Sequence, residues 1–157
     1  MPTKILIADD NRTMREALRL IVSEHTDWVI CGEAADGLEA VSKAAELIPD
    51  IVILDLTMPK LNGLQAASAI HTAAPKIPMM LFTQHNVDAA LAAEARKAGF
   101  SGAVTKGSLN SLIVGIEHLL RGENYFPSSF TVTTVNESQP AESVPQITID
   151  DKPEENS

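Results

Sequence analysis

The chain has 157 residues, 45% of them hydrophobic and only 4% aromatic, which allows one domain of ordinary size with an aliphatic, alanine-rich core, and a tail. A net charge of −9 argues against a duplex-binding surface, which needs clustered Lys and Arg against phosphate. The single cysteine, Cys31, excludes an intrachain disulfide, and with no signal peptide and no run of about 18 apolar residues the chain reads as a soluble cytoplasmic protein without a membrane span.

In chain order, the first apolar run is Lys4–Ala8, followed directly by Asp9 and Asp10. Arg12–Glu24 has helical spacing, with Met14, Leu18, Ile21 and Val22 on one face. Trp28–Ala34 is the second run. After the turn Asp36-Gly37, Leu38–Leu47 is a second helix whose apolar positions are Leu38, Val41, Ala45 and the adjoining Ile48. Ile51–Leu54 is a continuous apolar run that ends in Asp55. Gly63–Ala73 offers Leu64, Ala67 and Ile70 to a core, and Ile77–Phe82 is again nearly continuous, ending at Thr83. Val87–Ala98 carries Val87, Ala90, Leu91 and Ala95, stopped by Gly99. Gly102–Thr105 leads into Lys106, and Leu109–Arg121 carries Leu109, Leu112, Ile113, Ile116 and Leu120 between an N-cap at Ser108 and a stop at Gly122.

Continuous apolar runs suit central parallel strands covered on both faces. The alternation of strand and helix predicts an α/β fold, a five-stranded doubly wound parallel sheet with order 2-1-3-4-5. The body is expected over residues 1–124 and a tail over residues 125–157. That tail has four prolines, many Ser and Thr, six acids and one lysine, so it holds −5 of the −9 total. It has no helical periodicity and reads as disordered, with Thr131–Val135 and Ile147–Ile149 as the segments able to dock as strands.

In an open α/β sheet, ligands bind at the carboxyl ends of the strands where the order reverses. Asp9 and Asp10 end the first strand, Asp55 the third, Thr83 the fourth and Lys106 the fifth. Each has an ordinary reading alone. An Asp-Asp-Asn run before a helix is also a cap with first-turn acids, a strand-end aspartate is also a loop residue, and Thr83 and Lys106 are common types for a strand and a surface. The conjunction is what points to chemistry. Three carboxylates in one pocket repel, and a hard divalent cation such as Mg²⁺, which takes one or two carboxylates with waters and phosphate oxygens, relieves them. A metal-supported carboxylate is a nucleophile toward phosphorus, with Lys106 and Thr83 placed to hold phosphoryl oxygens.

The stretches KILIADDN (4–11), GEAADGLEAV (32–41), DIVILDLTMPKLNG (50–63), PMMLFT (78–83) and GAVTKGS (102–108) together resemble the response-regulator receiver domain, the CheY-like phosphoacceptor of two-component signalling. The resemblance covers about residues 3–124, and GEAADG and LLRGENYFP are most similar to receivers of LuxR-type regulators. It implies a flavodoxin-like fold in which Asp55 is the phosphoacceptor, Asp9 and Asp10 hold Mg²⁺ with Asp10 the more direct ligand, and Thr57 lends its backbone carbonyl to the metal. Thr83 and Lys106 would bind the phosphoryl group. The implied donor is a histidine kinase or phosphotransfer protein, and the implied output a protein partner or a homodimer formed on phosphorylation.

Several positions depart from that family. Ala103 stands where an aromatic residue usually swings, Gln84 where a small residue keeps the pocket open, and Gly107 where proline is common and the preceding bond often cis. The 33-residue tail has no arginine and one lysine, so it is not the helix-turn-helix output domain of LuxR-type regulators, and no direct DNA binding is expected of this chain. Its acidic polar end reads as a natural terminus, with a fragment of a longer regulator as the alternative. A degenerate receiver serving as a docking scaffold is a further alternative. A haloacid-dehalogenase-like phosphohydrolase is another, weakened because Thr57 stands where its acid/base aspartate belongs. A flavin or nucleotide binder is weakened by the acidic ADDNRT at its phosphate-loop position. His25, His71, His85 and His118 show no metal spacing, and His85, two residues after Thr83, reads as a loop histidine facing solvent, with an approach to the phosphoryl pocket as the alternative.

Overall fold

Side-chain caps start the helices. Asn11, Asp36, Asn62, Asp88 and Ser108 each accept a hydrogen bond from the backbone N–H three residues on, which satisfies a donor the first helical turn leaves free. At Asn62 the bond is returned by Gln65 as a capping box. A computed structural model describes residues 2–127. Its elements are β1 (Thr3–Ala8), α1 (Arg12–Ser23), β2 (Trp28–Ala34), α2 (Gly37–Leu47), β3 (Ile51–Leu54), α3 (Gly63–Ala73), β4 (Met79–Thr83), α4 (Ala89–Ala98), β5 (Gly102–Thr105) and α5 (Leu109–Leu120).

The sheet is five-stranded with order β2-β1-β3-β4-β5, every pair parallel, as expected. β3 and β4 are buried along their whole length, the reason they carry no polar alternation. Ile5, Ile7, Ile53, Met80, Phe82 and Val104 join Leu18 and Val22 of α1 and Leu112, Ile116 and Leu119 of α5 in one aliphatic core. Among the described residues no helix is long and apolar enough to cross a membrane.

Register places the site. β1 and β3 pair with Ala8 opposite Leu54, so the next residues, Asp9 and Asp55, emerge side by side. The Asp55 N–H donates to the Ala8 carbonyl at 2.9 Å. On the other flank Thr83 pairs with Thr105, and the Lys106 N–H donates to the Thr83 carbonyl at 2.8 Å. The Lys106–Gly107 bond is trans.

Three expectations shift. The face that α2 buries is Gly37, Ala40 and Ala44, while Leu38 is 53% and Ile48 67% exposed. Small residues let this helix lie close: a Cβ on Gly37 would stand 2.1 Å from the Leu61 carbonyl oxygen, so the large apolar residues are turned outward. α4 starts at Ala89, two residues later than expected, because Asp88 caps it through Leu91 N–H; Val87 is buried outside the helix and Ala90 is exposed. The compact unit reaches Phe126, past the boundary expected at Asn124. Tyr125 bridges to Gly102, its carbonyl accepts from the Ala103 N–H and its N–H donates to the Ser101 carbonyl, both at 2.9 Å. The expected strand-like segments Thr131–Val135 and Ile147–Ile149, and the disorder expected around them, lie outside the described residues.

The C-cap of α2 yields a stability prediction. Ile48 holds a left-handed conformation at φ 48°, which costs a residue with a Cβ about 1–2 kcal/mol, and its exposed side chain returns little burial. Ile48→Asn is expected to stabilise the protein by roughly 1 kcal/mol, a rise of about 2–6 °C in Tm for a domain of this size, checked by thermal unfolding. An unchanged or lowered Tm contradicts it.

Candidate functional site

Asp9, Asp10 and Asp55 each present a carboxylate oxygen within 4.8 Å of the others. Asp9 and Asp55 are buried and Asp10 is exposed. Neither Asp9 nor Asp10 is the helix cap: Asn11 takes that part, and its own N–H donates to Asp9 Oδ1 at 2.9 Å. The ammonium of Lys106 lies 2.6 Å from Asp9 Oδ2 and 3.4 Å from Asp55 Oδ1, with its side chain 7% exposed. It approaches Asp9 Oδ2 off the direction a hydrogen bond requires, so that buried oxygen has charge compensation and no hydrogen-bond donor. A cleft of about 180 Å³ is lined by Asp10, Asn11, Asp55, Thr57, Gln84, His85 and Lys106.

The remaining predicted residues divide. Thr57 is exposed and lines the cleft. Thr83 is fully buried and does not line it; its hydroxyl accepts from the His85 N–H at 3.0 Å and keeps its own proton to donate. Gln84 does line the cleft, as its position after Thr83 suggests. His85, expected in a solvent-facing loop, is exposed but also lines the cleft, with Nε2 3.4 Å from the Thr57 hydroxyl. Its nearness to Thr83 in sequence is the signal for that place. Arg15 was not singled out by the sequence, yet its Nη1 donates to the Asp9 carbonyl at 2.6 Å; a helix-surface arginine gives no sequence signal for such a contact.

The backbone beneath Asp55 is closely packed. A Cβ on Gly63 would fall 2.2 Å from the Asp55 carbonyl oxygen, and the Gly63 N–H donates to Leu56 at 2.7 Å. The loop after β3 therefore folds back tightly under the strand end, and only a residue without a side chain fits there.

A family model described as the response regulator receiver domain matches residues 5–116. The chain belongs to the response regulator receiver domain family. Phosphorylation of an aspartate by a kinase is the general function of this domain, and receiver domains are generally phosphoacceptors without enzymatic activity of their own. The transcriptional regulatory protein LnrK of Bacillus subtilis is 31% identical over 153 residues, 97% of this chain and 69% of that protein. The protein-glutamate methylesterase/protein-glutamine glutaminase of Thermotoga maritima is 39% identical over 103 residues, 66% of this chain. The receiver chain spans only 30% of that relative's length. A crystal structure of a LuxR-family two-component response regulator from Aurantimonas sp. SI85-9A1 superposes with a TM-score of 0.78 at 32% identity, covering 83% of this chain and 94% of that one.

Receiver domains bind Mg²⁺ at an acidic pocket, and the residues here fit such an ion. All three acids offer hard oxygen donors, and Asp9 Oδ2 is a buried oxygen with no hydrogen-bond donor of its own.

Burial first, and the neighbouring Asp9 charge second, push the Asp55 carboxyl above its usual range, with Lys106 pulling the other way. A carboxyl whose pKa is raised by folding opposes folding when ionised. That penalty is full above the native pKa, fades as pH falls from there toward the ordinary aspartate value of ~3.9, and is gone below it. In chelator at neutral pH, Asp55→Asn is therefore expected to raise Tm by a few degrees, and the gap to the native protein to close on acidification. A gap independent of pH would show that Asp55 is not electrostatically opposed. Gly63→Ala is expected to lower stability by about 1–3 kcal/mol through the clash with the Asp55 carbonyl, read from denaturant unfolding.

Proposed function

We propose that Asp55 is the phosphoacceptor of this receiver and takes its phosphoryl group from a histidine kinase or phosphotransfer protein. The observation that carries the reading is the Asp9–Lys106–Asp55 contact at the ends of the two central strands, where a buried ammonium touches both carboxylates. In the transfer, an Asp55 carboxylate oxygen forms a bond to phosphorus while the bond from phosphorus to the donor imidazole nitrogen breaks, and that nitrogen keeps the electron pair. Lys106 meets the charge on the phosphoryl oxygens. Thr83 has a hydroxyl proton to donate, and because it is fully buried it reaches the phosphoryl group only by moving with the start of the following loop. Asp9, Asp10, Asp55 and the Thr57 backbone carbonyl are the groups that would hold Mg²⁺, which when bound supplies positive charge against the carboxylates and the phosphoryl group.

The phosphohydrolase reading finds no support at Thr57, whose side chain is a hydroxyl contacting His85 rather than a carboxylic acid. The scaffold reading draws on Ala103, which is fully buried and has no ring to swing. In the phosphoacceptor reading, with no ring at Ala103, Thr83 alone transmits the phosphorylated state to the face formed by α4, β5 and α5, and the output passes through protein contacts, a homodimer among them.

Incubation with acetyl phosphate tests the site. Phosphate incorporation is expected in the native protein with Mg²⁺ and is expected to vanish with chelator or in Asp55→Ala; incorporation that survives Asp55→Ala overturns the assignment. Gln84 lines the cleft, so Gln84→Ala is expected to change the dephosphorylation rate by about threefold or more, a barrier change of roughly 0.7 kcal/mol. An unchanged rate removes its covering role.

A further inference from the structure

Every polar group of Asp9 but one is hydrogen-bonded within the fold, and the remaining oxygen is held by charge. Its N–H donates to the Ala34 carbonyl at 3.0 Å, its Oδ1 accepts from the Asn11 N–H at 2.9 Å, and its carbonyl accepts from Arg15 Nη1 at 2.6 Å. Only Oδ2 is left, facing Lys106. Arg15 is itself gripped: its side chain is 16% exposed and its Nε donates to Glu33 Oε1 on β2 at 3.0 Å. Glu33 is in turn paired with Arg19 through its other oxygen, and its backbone carbonyl accepts from Lys43. One guanidinium thus ties the loop after β1 to the edge strand β2.

We propose that Arg15, gripped by Glu33, is a positioning residue that sets the Asp9–Asp10 peptide and so aims both carboxylates at the cation site. The proposal rests on the reading of the three acids as that site. The physical reason lies in Asp10. Among the described residues its side chain makes no hydrogen bond or ion pair, so its direction is set by the backbone alone. A peptide is planar and leaves only two soft dihedrals per residue. Holding the Asp9 carbonyl from one side and the Asn11 N–H from the other leaves the Asp10 Cα–Cβ direction little freedom. A planar fork is needed, since one nitrogen must reach the carbonyl while another reaches Glu33, and a lysine ammonium does not span both in that geometry.

Charge and position predict opposite signs, which makes the proposal testable. Arg15 is a cation beside a cation site, so by charge alone its removal would tighten metal binding. By position its removal weakens it, as loss of an outer partner of a metal ligand does, roughly tenfold. The test is binding of Mn²⁺, followed through the EPR signal of the free ion, to the full chain, with thermal midpoints measured alongside. Arg15→Gln is expected to weaken Mn²⁺ affinity about tenfold, and Arg15→Lys, which keeps the charge but not the fork, several-fold. Affinity unchanged or tightened in Arg15→Gln, whatever its Tm, overturns the proposal; if that variant does not fold, unchanged affinity in Arg15→Lys does so. Native binding that survives Asp9→Asn and Asp55→Ala would instead refute the cation-site reading itself, a result separate from either Arg15 outcome.

Discussion

Two carboxylates at the ends of adjacent central strands repel each other, and the buried ammonium of Lys106 is what lets them stand together. It lies 2.6 Å from Asp9 and 3.4 Å from Asp55. Breaking such a buried group apart leaves an uncompensated charge, a strongly unfavourable state. The compensation is incomplete: one ammonium is shared between Asp9 and Asp55, Asp10 stands beside them without an ion pair among the described residues, and the Asp55 carboxyl stays above its usual range. A site left short of positive charge is one that a divalent cation can complete.

The rest of the architecture keeps those groups in register. The pairing of Ala8 with Leu54 brings Asp9 beside Asp55, and the pairing of Thr83 with Thr105 brings Lys106 across β4. Close backbone packing holds the loop that follows: Gly63 under the Asp55 carbonyl and Gly37 against Leu61 leave no room for a side chain. These contacts are rigid because interiors are packed to the density of organic crystals, so the strand ends do not drift apart under their own repulsion.

At the opposite end of β5 the chain after α5 returns to the sheet. Tyr125 bonds to both Ser101 and Ala103 and tilts against His118 with ring centroids 5.0 Å apart, while Arg96 of α4 lies 4.1 Å above the Phe126 ring. Ala103, where the family pattern leads one to expect an aromatic residue, thus lies in a strand whose neighbour is an aromatic segment from beyond the last helix. The packing around β5 is built with aromatic mass supplied from outside the strand.

Strand and helix order, the cap at Ser108 and the set of chemistry-bearing residues at four strand ends are legible in the sequence alone. Those features are local: periodicity, cap chemistry and the continuous apolar runs of buried parallel strands are written in neighbouring residues. Which face of α2 is buried is settled in the folded chain, where Ala40 and Ala44 win over Leu38 and Ile48 through close packing and not through hydrophobicity. The tertiary structure alone decided that Tyr125 belongs to the body, since its partners Ser101 and Ala103 lie some twenty residues away in the chain. It alone brought Arg15 to the Asp9 carbonyl, because a side-chain contact to a backbone oxygen depends on how helix and strand are packed and leaves no trace in residue type.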